Sequence, residues 1–164
     1  MYTITIIDME EFMKRMHIHL SVDDLDKNIK FYTTMFGAEP TIQHSDYAKW
    51  RLEDPSVNFA VSDKGRDSGL NHLGLELDSD EELEKIHQRI NQSNLDNLEE
   101  KSAQCCYSES DKYWTLDPQG IAWENFYTLG EIPIYGANSS KDSEDSLNSC
   151  GISKAAPSSQ SNCC

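Results

Sequence analysis

The chain has 164 residues, 29 acidic and 14 basic, for a formal net charge of −15 at pH 7. That length suits one ordinary domain or two small modules sharing a core, and so acidic a chain offers no basic patch for a phosphate backbone, which argues against nucleic acid as a partner. No apolar run approaches the roughly 20 residues that a membrane-spanning helix needs, so no membrane insertion is expected.

At the N-terminus, Tyr2, Ile4 and Ile6 alternate with Thr3, Thr5 and Ile7, as in a short extra strand or a leader that the fold does not need. This stretch lacks a charged n-region and runs straight into Asp8 and Glu10, and the five cysteines are an odd number without scaffold spacing. Both features point to a reduced, cytoplasmic protein. Residues 1–12 are assigned to an N-terminal extension and 13–136 to the folded domain. An apolar-alternating strand, Met16 to Asp23, comes next, followed by a helical run in which Leu25, Ile29, Tyr32 and Phe36 share a face. Trp50-Arg51-Leu52-Glu53-Asp54-Pro55 then leads through a turn to an apolar strand, Val57 to Val61.

The second half repeats this order. Asn71 to Asp78 matches Met16 to Asp23 in pattern, and Ser79, with Glu82 three residues on, has the form of a capping box before a second helix. Trp114-Thr115-Leu116-Asp117-Pro118 echoes the Trp50 segment and leads to a strand from Ile121 to Tyr127. The unit is a strand, a helix and about three antiparallel strands, occurring twice, in modules of about 13–66 and 67–136. From about Ala137 to Cys164 the chain turns to Ser, Asn and Asp, with Leu147 and Ile152 its only large apolar residues, and reads as a disordered tail.

Period-two alternation assigns the faces. Met16, Ile18, Leu20 and Val22 should pack on the first helix, with His17, His19 and Ser21 opposite; Leu73, Leu75 and Leu77 should pack on the second, with His72, Gly74 and Glu76 opposite. In the last strand Glu124 shares a face with Ala122 and Phe126. A sheet face carrying His, Ser and Glu suits a polar cup, although each of these side chains alone reads equally well as hydrogen-bonded on an open sheet. His17 and His72 stand at equivalent repeat positions; His19 points the same way as His17 and is its rival. Two histidines and a carboxylate form the ligand set of a non-haem iron site.

Adjacent to this cup in sequence lie Cys105 and Cys106. Two neighbouring thiolates can grip one thiophilic atom such as trivalent arsenic, whereas a disulfide between them needs a strained ring. The bland alternative is a pair of buried small hydrophobes.

The doubled unit, His17 followed by Val22-Asp23-Asp24-Leu25 and Phe31-Tyr32, the Asn71-His72-Leu73-Gly74 segment and Asp117-Pro118-Gln119-Gly120 leading to Trp123-Glu124 resemble the vicinal-oxygen-chelate superfamily of glyoxalases, ring-cleaving dioxygenases and antibiotic-resistance proteins. The resemblance covers nearly all of residues 13–136 and implies an α+β fold, paired βαβββ modules forming a metal-holding cup. More narrowly, Met13 to Leu20, Cys105-Cys106-Tyr107, Asp111-Lys112 with Trp114, and the ending Gly130 to Gly136 resemble the iron-dependent carbon–arsenic lyases, often labelled cadmium-induced proteins. That resemblance implies Fe(II) held by His17, His72 and Glu124, dioxygen as co-substrate, and a trivalent organoarsenical held by Cys105 and Cys106. Gln104, Tyr107 and Lys112 flank the thiols; Gln104 and Tyr107 are expected to help bind substrate, and Lys112 to favour the thiolates as part of the catalytic set.

Glyoxalase-type members usually carry a fourth ligand on the last strand of the first module, but Val57-Asn58-Phe59-Ala60-Val61 offers no carboxylate, histidine or cysteine. Two alternatives stay open: a glyoxalase-like or ring-cleaving metal enzyme with structural cysteines, and a non-catalytic arsenic- or cadmium-binding resistance protein. The oligomeric state, monomer or homodimer, is left open too. Cys150, Cys163 and Cys164 in the tail are either idle surface thiols or a tethered trap that passes arsenicals to Cys105 and Cys106.

Overall fold

The computed structural model describes residues 14–64 and 67–135, so the expected N-terminal extension and Ser-rich tail lie outside the described residues. The first half forms β1 (Arg15–Ser21), α1 (Leu25–Phe36), β2 (Ile42–Gln43), β3 (Tyr47–Leu52) and β4 (Val57–Ser62). The second forms β5 (Gly69–Leu77), α2 (Asp80–Gln92), β6 (Asn97–Cys105), β7 (Ser108–Leu116) and β8 (Ala122–Glu131). The expected βαβββ unit is present twice.

All the strands join one 8-stranded sheet in the order β2-β3-β4-β1-β5-β8-β7-β6. β1 and β5 meet antiparallel at its centre, while β1 pairs parallel with β4 and β5 parallel with β8. Each module thus puts its first and last strands side by side next to the pseudo-symmetry axis. The sheet curls into a half-barrel whose two helices lie outside.

Each helix follows from its sequence. Asp24 Oδ1 accepts from Lys27 N at 3.0 Å and starts α1, and Gly37, at φ 64°, supplies the left-handed residue that ends it. Ser79 Oγ accepts from Glu82 N at 3.2 Å and starts α2. The reciprocal half of a capping box is missing there, because the Glu82 carboxylate turns instead to Lys14 and Lys85.

On the helix side, Leu25, Ile29, Tyr32 and Phe36 pack with Ile18, Leu20 and Val22 against Trp50, Phe59 and Val61. Leu83, Ile86 and Ile90 cover Leu75, Leu77 and Tyr113 in the second module. Leu83 is fully enclosed, and truncating such a residue to Ala costs about 2–5 kcal/mol. The concave face is just as enclosed: His17, His19, Ser21, His72 and Glu124 are all buried.

One residue lets the modules close up. Gly74 sits opposite Glu124 in the β5–β8 ladder, and a Cβ at that position would fall on the Glu124 carbonyl oxygen. Only glycine permits this approach, which brings the Glu124 strand beside the His72 strand.

Candidate active site

Three expected ligands converge. His17 Nε2 lies 3.0 Å from His72 Nε2 and 3.5 Å from Glu124 Oε2, and His72 Nε2 lies 3.1 Å from the same oxygen. Ligand bonds of about 2.1 Å set at right angles separate neighbouring donor atoms by about 3 Å, so this triangle has the dimensions of one face of a metal's coordination shell.

The far side of each ring fixes which nitrogen is left for the metal. His17 Nδ1 is 3.2 Å from the Asn58 carbonyl oxygen and His72 Nδ1 is 2.9 Å from Asn71 Oδ1. With those N–H groups donating outward, both Nε2 lone pairs face the third donor, the usual arrangement around a ligating histidine. Burial and the neighbouring His72 lower the His17 pKa to about 4, against the pull of Glu124, so His17 is neutral at physiological pH.

Glu124 is kept ionised in spite of its burial. Desolvation opposes the charge, but Lys112, His72 and His17 together hold its carboxyl well below the usual carboxylate range. Lys112 Nζ donates to Oε1 at 2.7 Å, leaving Oε2 for the histidines. Sequence reasoning set Lys112 beside the thiols; the structure makes Glu124 its direct partner, with Cys106 close enough to feel the charge.

His19, the rival, is turned aside, with its Nε2 2.9 Å from Ser62 Oγ. It nonetheless completes a group of three buried histidines whose ligand atoms lie within 4.8 Å of one another. Asn58 is also buried in this wall, and its Oδ1 has no hydrogen-bond partner while it lines the cavity. An orphaned acceptor beside the histidines fits a site where a donor arrives with a bound group, such as metal-held water.

The thiols reach the same cavity by a strained route. β6 ends at Cys105 and β7 begins at Ser108, so Cys106 and Tyr107 alone make the hairpin turn, at φ 53° and 63°. A two-residue turn with both φ values positive normally uses Asn and Gly, and non-glycine residues there cost about 1–3 kcal/mol each. Four contacts offset this. Cys106 N donates to the Tyr135 carbonyl at 2.5 Å, Ile132 N donates to the Tyr107 carbonyl at 3.0 Å, and Tyr107 stacks on His44 at 3.5 Å while its hydroxyl donates to Asp46 at 2.5 Å.

The turn therefore swings Tyr107 into a cluster with Tyr47 and Tyr135, away from the cavity lining, and Gln104 is exposed on β6. Neither lines the cavity, whereas Cys105, Cys106 and Lys112 do. Their Sγ atoms are 3.2 Å apart. Cys106 is a free thiol, and Cys105 is disulfide-bonded in this structure. Burial pushes the Cys106 thiol up to about 11, against the pull of Lys112 and a hydrogen bond from Tyr135.

The cavity, about 50 Å³ and partly open to solvent, thus has metal-type donors and thiols on its walls. Trp114, against His72, and Phe126, against His17, add apolar lining. Tyr47, Lys49, Ser108, Ser110 and Trp114 also line it and were not singled out from the sequence. Alternation along β3 and β7, the rule that placed His17 and Glu124, would have found them.

The profile of the Glyoxalase/Bleomycin resistance protein/Dioxygenase superfamily matches residues 14–125. The chain belongs to that superfamily. It is 37% identical over 145 residues to a probable trivalent organoarsenical cleaving enzyme of Bacillus subtilis strain 168, covering 84% of this chain and 99% of the relative. It is 40% identical over 119 residues to a trivalent organoarsenical cleaving enzyme of Bacillus sp. strain MD1, covering 71% and 74%. Among solved structures, homoprotocatechuate 2,3-dioxygenase from Arthrobacter globiformis aligns with a TM-score of 0.56 at 17% identity, over 74% of this chain and 38% of that one, a likeness of fold. Among the described residues, no helix is long and apolar enough to cross a membrane.

Proposed function

We propose that this superfamily member cleaves the carbon–arsenic bond of trivalent organoarsenicals such as methylarsonous acid, in a reaction that depends on iron(II) and dioxygen, releases arsenite and so confers organoarsenical resistance. The observation that carries the reading is the meeting of a neighbouring cysteine pair and a two-histidine, one-carboxylate set in one cavity. The printed names of the two Bacillus relatives support the substrate class.

His17, His72 and Glu124 are the residues that would hold iron. Iron(II) bound there supplies the redox chemistry with dioxygen that breaks the carbon–arsenic bond. The chain's own part begins with the thiols. With Cys105 reduced, each thiol displaces one hydroxyl of the arsenical: a sulfur–arsenic bond forms, an arsenic–oxygen bond breaks, and the thiol proton leaves with the hydroxyl as water. Because the proton departs in the exchange, the raised pKa of Cys106 is no obstacle. Bonds of about 2.3 Å, the length typical of thiolate–metal contacts, let one atom bridge sulfurs 3.2 Å apart.

Two sulfurs fix the arsenic and leave its carbon substituent pointing into the cavity, so the next step is intramolecular. Lys112 keeps Glu124 ionised and oriented, and Trp114 beside His72 and Phe126 beside His17 give the cavity an apolar lining. The test is to incubate the reduced protein with iron(II), air and methylarsonous acid and follow arsenite with time. Arsenite should accumulate, and should not under nitrogen or with a chelator; binding without release of arsenite would leave a sequestering protein.

A further inference from the structure

A second cation faces this cavity from the first-module wall. Alternation along β3 sends Ala48 and Trp50 into the helix-side core and turns Tyr47 and Lys49 to the concave side, where both line the cavity with Cys106. Lys49 pairs with Ala60 on β4, and Ala60 with His19 on β1, so the lysine stands two strands from the histidine on the same face of the sheet.

The two cavity lysines differ in what holds them. Lys112 is tied to Glu124 at 2.7 Å. Among the described residues no carboxylate comes within 4.0 Å of the Lys49 ammonium. Burial pushes the Lys49 pKa below the ordinary lysine range, against weaker opposing pulls from Glu76, Glu131 and Cys106. A charge kept in a cavity at a desolvation cost, without a partner, suits a group that meets its counter-ion on a ligand.

We propose that Lys49 receives an oxyanion on the organic substituent of the arsenical, so that the cavity favours arsenicals whose carbon group ends in an acidic oxygen remote from arsenic. This rests on the reading that Cys105 and Cys106 hold the arsenic. The clamp anchors one end of the ligand on the second-module wall, and Lys49 takes the other end on the first. The alternative role for the charge, favouring the Cys106 thiolate, acts on the arsenic end and is blind to the substituent.

The two roles separate in a binding experiment that needs no turnover. The full-length protein, reduced and loaded with iron(II) under nitrogen, is titrated with trivalent phenyl and para-carboxyphenyl arsenicals, with quenching of tryptophan fluorescence as readout. The wild type should bind the carboxylate about tenfold or more tightly than the phenyl compound, as expected of a charge-assisted hydrogen bond. Lys49→Met should erase that preference while leaving phenyl binding within about twofold, and Lys49→Arg should retain it. Equal weakening of both ligands in Lys49→Met, or a preference that survives it, overturns the inference alone. A wild type without preference does the same. A wild type that binds neither arsenical overturns the thiol clamp as well.

Discussion

The two modules share one architecture but divide the chemistry unequally. β1 and β5 carry the matched pair His17 and His72, 55 residues apart, each with its Nδ1 anchored outward. Their last strands differ. Parallel pairing sets Glu124 against Gly74 in the second module and Ala60 against His19 in the first, and His19 and Gly74 are themselves repeat equivalents. Ala60 therefore stands where a second Glu124 would stand. The second module further supplies Lys112 and both thiols, while the first supplies Asn58, Tyr47 and Lys49. A duplicated scaffold thus brings donors together by symmetry, and the departure from symmetry leaves one wall without a counterpart of Glu124 and gives the other the cysteine pair.

The largest expected effect comes from removing the asymmetric ligand. Glu124→Ala deletes a donor and strands the buried Lys112 ammonium, so metal affinity should fall by at least about 100-fold, beyond the loss typical of groups one layer out. Metal titration of the purified variant measures this. His72→Ala should lose affinity comparably, and full iron-dependent activity in either variant would remove the triad. Next come the thiols. Cys105→Ser and Cys106→Ser should each abolish arsenical turnover while leaving iron binding at its wild-type value, because neither sulfur is one of the proposed iron ligands. Wild-type turnover by either variant would return the pair to a structural role.

How much of this was visible in the residues differs between the walls. Repeat matching and period-two alternation set His17 and His72 on the concave face, because each lies on a strand whose opposite face is plainly apolar; Glu124, on a strand of mixed faces, was singled out through the family resemblance. Alternation is harder to read in β4, where Asn58 to Ser62 are all buried, and so the orphaned Asn58 was passed over. Gln104 and Tyr107 were expected in the site because they flank the cysteines in sequence. Adjacency fails there: neighbours on a strand point to opposite faces, and the left-handed turn at Cys106 and Tyr107 carries the tyrosine ring toward His44 and Asp46. Lys112 was found, but its tie to Glu124 crosses strands and depends on a register that only the folded sheet supplies.

A pH experiment sharpens the contrast between the paired histidines and the lone carboxylate. In the metal-free protein, the pKa of His17 falls from 6.5 to about 4 on folding. Between those values the unfolded chain takes up a proton at His17 that the folded chain does not, so stability should fall as pH drops from about 6.5 to about 4, by on the order of 3 kcal/mol. Glu124, held well below its ordinary range, keeps its charge over most of that window and adds its own loss only at lower pH. Urea denaturation of the metal-free protein across this range checks the slope, and His17→Gln should flatten it. An unchanged slope in that variant would assign the pH sensitivity to other groups.

The smallest effect concerns the two helices, which do not touch the cavity chemistry. Both helices are closed at each end, α1 by Asp24 and the left-handed Gly37, and α2 by Ser79 and the left-handed Asn94, at φ 53°, after which Leu95 N donates to the Ile90 carbonyl at 3.3 Å. α2 rests on Leu83, Ile86 and Ile90, all of which face the convex side of the sheet. Ser79→Ala removes one N-terminal hydrogen bond and should lower stability by about 1 kcal/mol. It should leave metal affinity unchanged, since no triad residue bonds to α2. Metal binding that weakened in step with stability in Ser79→Ala would mean that the outer helix sets the spacing of the donors, and that the convex and concave faces of the second module are coupled.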